Sequence, residues 1–288
     1  MTQLKKLQAV GLAGLALLAS ACAGLKPVPV APWTGDFDQT PWAAAFHCEW
    51  GPAHGERSQV VSDPGLGRKA LRVLYPAHGL GPEGGGTQFL TRFGHKGHPL
   101  RDDAEHLFIR YWLYFEPGFD FSKGGKLPGL AGNTRPGTSP KTGGGGEPKD
   151  DSEGFSARIM WREEGKAFQY VYHPGQSGAY GDYYPWIKDG QPVHFRVGRW
   201  HCVETEVQLN RPGAKDAVLR SWLDGDLVLD KTHLALRRED DLRINCFFFD
   251  TFFGGGEPDW APKTDSYIRF GPVQVAGSRA GLEPLREP

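Results

Sequence analysis

Past an N-terminal apolar stretch, this chain holds no helical period for long. Short alternating or aromatic-rich runs recur instead, separated by clusters of Gly, Pro and Asp. Strands are expected over 70–75, 87–93, 106–115, 155–162, 166–173, 194–197, 201–209, 218–223, 227–230, 242–249 and 267–275. Along 107–115 the odd positions Leu107, Ile109, Tyr111, Leu113 and Phe115 are apolar, alternating with Phe108, Arg110, Trp112 and Tyr114. Successive strand residues point to opposite faces, so the odd set belongs in a core and the even set on a surface able to stack sugar rings. About ten antiparallel strands without helices predict an all-β fold. The expected form is a two-sheet jelly-roll sandwich with a concave face for a chain-like ligand.

With 288 residues, 39% of them hydrophobic, the chain can bury one substantial core, and a single domain is expected over 36–288. A net charge of −1 argues against a general nucleic-acid surface and leaves anion recognition to local clusters. Lys5 and Lys6 precede an apolar stretch from Leu7 to Leu18, followed by small residues up to Cys22. That pattern is an export signal over 1–21, too short for a membrane span. Ala19-Ser20-Ala21-Cys22 resembles a bacterial lipoprotein cleavage box with Cys22 as the lipidated residue; an ordinary signal peptide cut near Ala21 is the alternative. Residues 23–35, rich in Pro and Ala, read as a tether. The expected location is the cell envelope, with the membrane reached only through the lipid, or else the periplasm or medium.

Cys48, Cys202 and Cys246 then allow at most one disulfide. No Cys/His spacing suits a metal, so no metal or cofactor is expected. Asp265 is a turn residue or, less simply, a ligand of a structural cation. Residues 130–153 form a long Gly/Pro/Lys-rich segment, read either as a flap over the cleft or as disorder.

Ser156-Ala157-Arg158 and Tyr170-Val171-Tyr172 flank the turn Glu163-Glu164-Gly165, downstream of Lys123-Gly124-Gly125-Lys126-Leu127-Pro128-Gly129. In a hairpin, Ser156 shares a face with Arg158, and Tyr170 with Tyr172. A two-residue loop would place Arg158 opposite Val171 and split the pairs. A three-residue loop places Arg158 opposite Tyr170 and Ser156 opposite Tyr172. Gly165 fits the left-handed third position of such a loop, so the three-residue register is expected.

The result is a cationic, phenol-rich wall suited to a carboxylate beside a labile proton. Uronic-acid polymers offer that combination. β-Elimination removes the C5 proton, expels the C4 oxygen and forms a C4=C5 double bond. The reaction needs the carboxylate neutralised, a base and an acid. Arg grips a carboxylate with two parallel hydrogen bonds, Lys126, expected on a loop fixed by Pro128 and freed by Gly124, Gly125 and Gly129, can reach the same group, and adjacent cations favour the phenolate of a tyrosine.

These residues carry a resemblance. The KGGKLPG run, Ser156-x-Arg158 entering Met160-Trp161-Arg162, and Tyr170-x-Tyr172 together resemble polysaccharide lyase family 14. The resemblance is clearest over 106–186 and implies a β-jelly roll acting on alginate or polyglucuronate. It implies that Tyr170 and Tyr172 carry the proton transfers, while Lys126 and Arg158 engage the carboxylate. Ser156, Gln88, Lys123 and Trp112 are further substrate-binding candidates, whereas His173 is expected to be structural, and His47 and His201 are left open. The implied partner is an anionic polysaccharide, met by a monomer.

Two rivals differ in class. Glu204 and Glu206 share a strand face, as a glycoside hydrolase's carboxylates would, although that face is expected to be solvent-facing. A non-catalytic carbohydrate-binding lipoprotein would explain the 12% aromatic content without any chemistry.

Overall fold

The computed structural model describes residues 31–135, 153–176 and 178–282. The export segment, Cys22 and most of the 130–153 segment lie outside the described residues. In chain order the strands begin with β1 (Trp33–Gly35), β2 (Cys48–Ala53), β3 (Ser58–Asp63), β4 (Arg68–Tyr75), β5 (Thr87–Arg92) and β6 (His106–Phe115). They continue with β7 (Gly124–Asn133), β8 (Gly154–Arg162), β9 (Ala167–Tyr172), β10 (Asp182–Pro185), β11 (Ile187–Lys188) and β12 (Gln191–Pro192). The last five are β13 (Trp200–Gln208), β14 (Ala217–Leu223), β15 (Asp226–Leu234), β16 (Cys246–Phe253) and β17 (Ser266–Ala276).

Two antiparallel sheets form the expected jelly-roll sandwich. One runs β15-β14-β13-β6-β17-β4-β3, with β1 also on β17; the other runs β10-β9-β8-β7-β16-β5-β2. Between them lies a single large core. Leu107, Ile109, Tyr111, Leu113 and Phe115 of β6 join Phe155, Ala157, Ile159 and Trp161 of β8 and Phe247 and Phe249 of β16 in it. The alternation read from β6 is therefore the one that builds the sandwich. It also fixes what the second sheet presents outward: Ser156, Arg158 and Met160 of β8 lie on the face opposite the core residues of that strand.

The structure departs from the sequence reading in several places. Residues 33–35 are not tether: they form β1, pair with β17, and bury Trp33. The 194–197 stretch forms only isolated bridges, Lys166–His194 and Phe115–Val197. Leu130–Asn133 belongs to a strand rather than a loop, because β7 runs through the whole 124–133 stretch. For the same reason Lys126 sits on a central strand and not on a glycine-freed loop. Pro128 is tolerated there because the ladder is interrupted around it on both sides. The register shifts between Leu127 and Leu130 against β8, and between Phe248 and Phe252 of the facing β16.

The hairpin register is the one chosen from sequence: Arg158 faces Tyr170 and Ser156 faces Tyr172. The turn differs in detail. Glu164 is left-handed (φ 61°), as is Gly165 (φ 79°), so the loop takes two consecutive left-handed residues instead of one. Gly165 is required for a second reason, since a Cβ there would sit 2.5 Å from the Phe195 carbonyl oxygen. Gly165→Ala should therefore cost about 2 kcal/mol in urea unfolding. An unchanged midpoint would contradict this close approach.

Candidate active site

Tyr170 and Tyr172 project from the same face of β9, their rings 5.2 Å apart at 85°, and the Tyr170 hydroxyl donates to the Tyr172 oxygen at 2.9 Å. Lys126, from β7, holds Nζ 4.0 Å from the Tyr170 ring centroid and 3.3 Å from Met160 Sδ. The Arg158 guanidinium lies 5.4 Å from the Tyr170 ring and 5.5 Å from that of Tyr172. Arg158 therefore borders both rings, and Lys126 borders that of Tyr170. Lys126, Ser156, Arg158, Tyr170 and Tyr172, expected together from their spacing, are brought together on the outer face of the second sheet.

All five are buried, and burial governs their chemistry. The Lys126 ammonium is pushed down to about 7, first by burial and then by Arg158 and Arg162, against an opposing pull from Asp250. The Tyr170 phenol is raised well above its usual value by burial and by Tyr172, and Arg158 only partly offsets this. The expectation that cations lower this phenol is thus corrected: at Tyr170 the loss of solvent outweighs them. Ser156 Oγ and Arg158 Nε are buried without a partner among the described residues. They are donors in place with nothing yet to donate to.

Sequence reasoning missed Asp250. This carboxylate is 1% exposed on β16 and forms an ion pair with Arg158 Nη1, while its other oxygen accepts from the Gln88 amide. Gln88 therefore reaches the cluster, but through Asp250. One signal could have found Asp250. It is the lone charge within Phe247–Phe253, and on a strand it falls opposite Phe247 and Phe249.

Other candidates lie elsewhere. Trp112 is corrected: it belongs to β6, in the other sheet, and projects to that sheet's outer face because Tyr111 and Leu113 occupy the core face. Lys123 precedes β7 and is held by Asp259 rather than by the cluster. Glu204 and Glu206 are not solvent-facing, being only 1% and 6% exposed. Arg279 Nε (2.6 Å) and Arg110 (3.2 Å) hold Glu204, while His106 (2.8 Å) and Arg220 (3.2 Å) hold Glu206. Neither carboxyl is free for general acid work.

His173 bonds Asp182 at 3.0 Å and the Pro174 carbonyl at 2.9 Å, as a structural histidine does. His201 bonds Asp224, and His47 packs on His98. Asp265 accepts from the Ala77 amide, which is turn chemistry. Cys48, Cys202 and Cys246 are free thiols. Among the described residues no cluster of His, Cys, Asp or Glu is arranged to hold a metal ion.

The profile of Polysaccharide lyase 14 matches residues 64–273, and the chain belongs to that family. It is a polysaccharide lyase. Solved structures share the fold. The marine PL-14 alginate lyase from Aplysia kurodai superposes with a TM-score of 0.72 at 24% identity, covering 86% of this chain and 98% of its own. Alginate lyase Aly36B gives 0.67 at 24% identity, covering 86% and 97%. Alginate lyase vAL-1 from Chlorella virus gives 0.60 at 21%, covering 76% and 88%. Curated proteins give no match.

The Lys126 shift fixes a stability prediction. The folded chain releases this proton near pH 7 and the unfolded chain near 10.5, so the unfolded state binds more protons between those values and stability rises with pH across them. Lys126→Met should therefore stabilise the fold below pH 7 by on the order of 2 kcal/mol, with the gain fading toward pH 10.5. A pH-independent effect in denaturant titrations would show that the ammonium is not desolvated.

Proposed function

We propose that this lyase cleaves alginate by β-elimination on the face formed by Lys126, Ser156, Arg158, Tyr170 and Tyr172. The observation that carries the reading is the Tyr170–Tyr172 hydroxyl contact at 2.9 Å beside two cations. The preference for alginate is supported by neighbours described as alginate lyases. Polyglucuronate is the related substrate to compare.

Lys126 and Arg158 neutralise the uronate carboxylate, so that charge developing at C5 spreads into it. Ser156 Oγ and Arg158 Nε supply donors to the sugar. As the base, Tyr172 has to act in its deprotonated form: its oxygen accepts the Tyr170 hydrogen bond and takes the C5 proton. Tyr170, kept neutral by burial, gives its proton to the departing C4 oxygen. The C5–H and C4–O bonds break, their electrons form the C4=C5 bond and satisfy the leaving oxygen, and the Tyr172 proton returns to Tyr170 across their hydrogen bond. Asp250 orients Arg158. With the N-terminal export segment and Cys22, the reading includes a cell-envelope monomer working without a cofactor.

Tyr172→Phe keeps the ring and removes the proton carrier. Turnover, followed by the ultraviolet absorbance of unsaturated ends, should fall at least about 100-fold with KM little changed. A variant retaining full turnover would remove Tyr172 from the chemistry.

One observation favours a second assignment. An amine titrating near pH 7 is matched to general-base work, so Lys126 itself is a candidate to take the C5 proton. The pH profile of kcat separates the two. A clamp requires the charged amine, and activity falls as pH rises through its pKa in the complex. A base requires the neutral amine, and activity rises instead.

A further inference from the structure

A cavity of about 680 Å³ lies on the outer face of the first sheet, away from the Lys126–Tyr172 cluster. Three aromatic side chains line it, with charged residues between and around them. Trp112 and Tyr114 stand two apart on β6, on one face and roughly 7 Å from each other along the strand. On the adjacent β13, Trp200 pairs in register with Tyr114, their rings 5.5 Å apart. All three are half-buried, with ring surface left to solvent.

The rings are held in place. Trp200 Nε1 donates to Asp63 Oδ1 at 3.3 Å, and the Arg269 guanidinium lies 5.5 Å from the Tyr114 ring centroid. A Cβ at position 271 would come within 2.8 Å of Trp112 Cβ, so glycine there lets β17 pass close beneath that indole.

The charges at the rim are already matched. Arg269 is tied to Asp63 at 2.8 Å and to Glu116 at 2.7 Å, and Arg199 to Asp224 at 3.0 Å. A uronate carboxylate would have to break one of these pairs to gain a partner. Sugar hydroxyls would not, because they can donate to the Asp63 and Asp224 oxygens and accept from Arg199 while the pairs stay intact. Rigid ring faces with satisfied polar edges suit the apolar face and equatorial hydroxyls of a pyranose.

We propose that the Trp112–Tyr114–Trp200 groove is a second, non-catalytic site that binds two consecutive residues of a neutral glycan. It would hold the enzyme on a neutral polysaccharide while the opposite face works on another chain. The proposal does not rest on the lyase mechanism, and an inactive parent would leave its test intact.

The test titrates the full chain with neutral β-linked gluco-, manno- and xylo-hexasaccharides, reading tryptophan fluorescence and indole N–H resonances. At least one should bind at millimolar concentration or tighter. Trp112→Ala and Tyr114→Ala should each weaken binding about tenfold, as expected for losing one stacked ring. Saturating polyuronate should not displace the neutral ligand, and the lyase rate of Trp112→Ala on soluble substrate should match the parent. Melting curves show which variants remain folded. Failure of all three hexasaccharides to bind, undiminished binding in the folded variants, or displacement by polyuronate would overturn the proposal.

Discussion

The polar outer face of the second sheet depends on one buried ion pair. Arg158 and Asp250, 6% and 1% exposed, come from β8 and β16, strands separated by β7, which carries Lys126 between them. Taking both charges out of water is costly, and removing one partner would strand the other at a cost of about 3–5 kcal/mol. The pair therefore sets the guanidinium in one orientation and, with Lys126, makes a field aimed at the tyrosine rings. Lys126 has no such partner among the described residues. Its ammonium is correspondingly destabilised, and an anion placed beside it would relieve it. The face is unfavourable for the empty fold and favourable for an anion, as expected where function draws on stability.

The same alternation that creates the core creates this face. On β8, the odd residues fill the sandwich and the even ones include Ser156, Arg158 and Met160 on the outer face, although nearly all are buried and a hydropathy reading cannot separate them. Burial on both sides makes each cationic or hydroxylated side chain there depend on its neighbours.

Much of this was legible in the sequence because it is local. Strand period and a three-residue turn ending in glycine were enough to put Arg158 opposite Tyr170. Glu164 in the left-handed region was not legible, since propensity disfavours it and the Phe195 carbonyl packed on Gly165 is a long-range constraint. KGGKLPG read as a loop because glycine and proline punctuate chains, whereas here bulges on both flanks absorb Pro128 within a strand. Sheet membership was the deeper difficulty. Trp112 has the right period for an exposed face, but period does not say which sheet the strand joins. Asp250 and the arginines around Glu204 lie far away in sequence from the residues they serve. Only the fold connects them.

The central claim is that this polar face breaks a uronate chain without adding water. The most direct measurement is the mass of the products from a defined oligouronate of the alginate type. β-Elimination predicts two fragments whose masses sum to that of the substrate, one of them ending in an unsaturated residue. Fragments whose sum exceeds the substrate by one water would mean hydrolysis, and would contradict the role assigned to the Tyr170–Tyr172 pair.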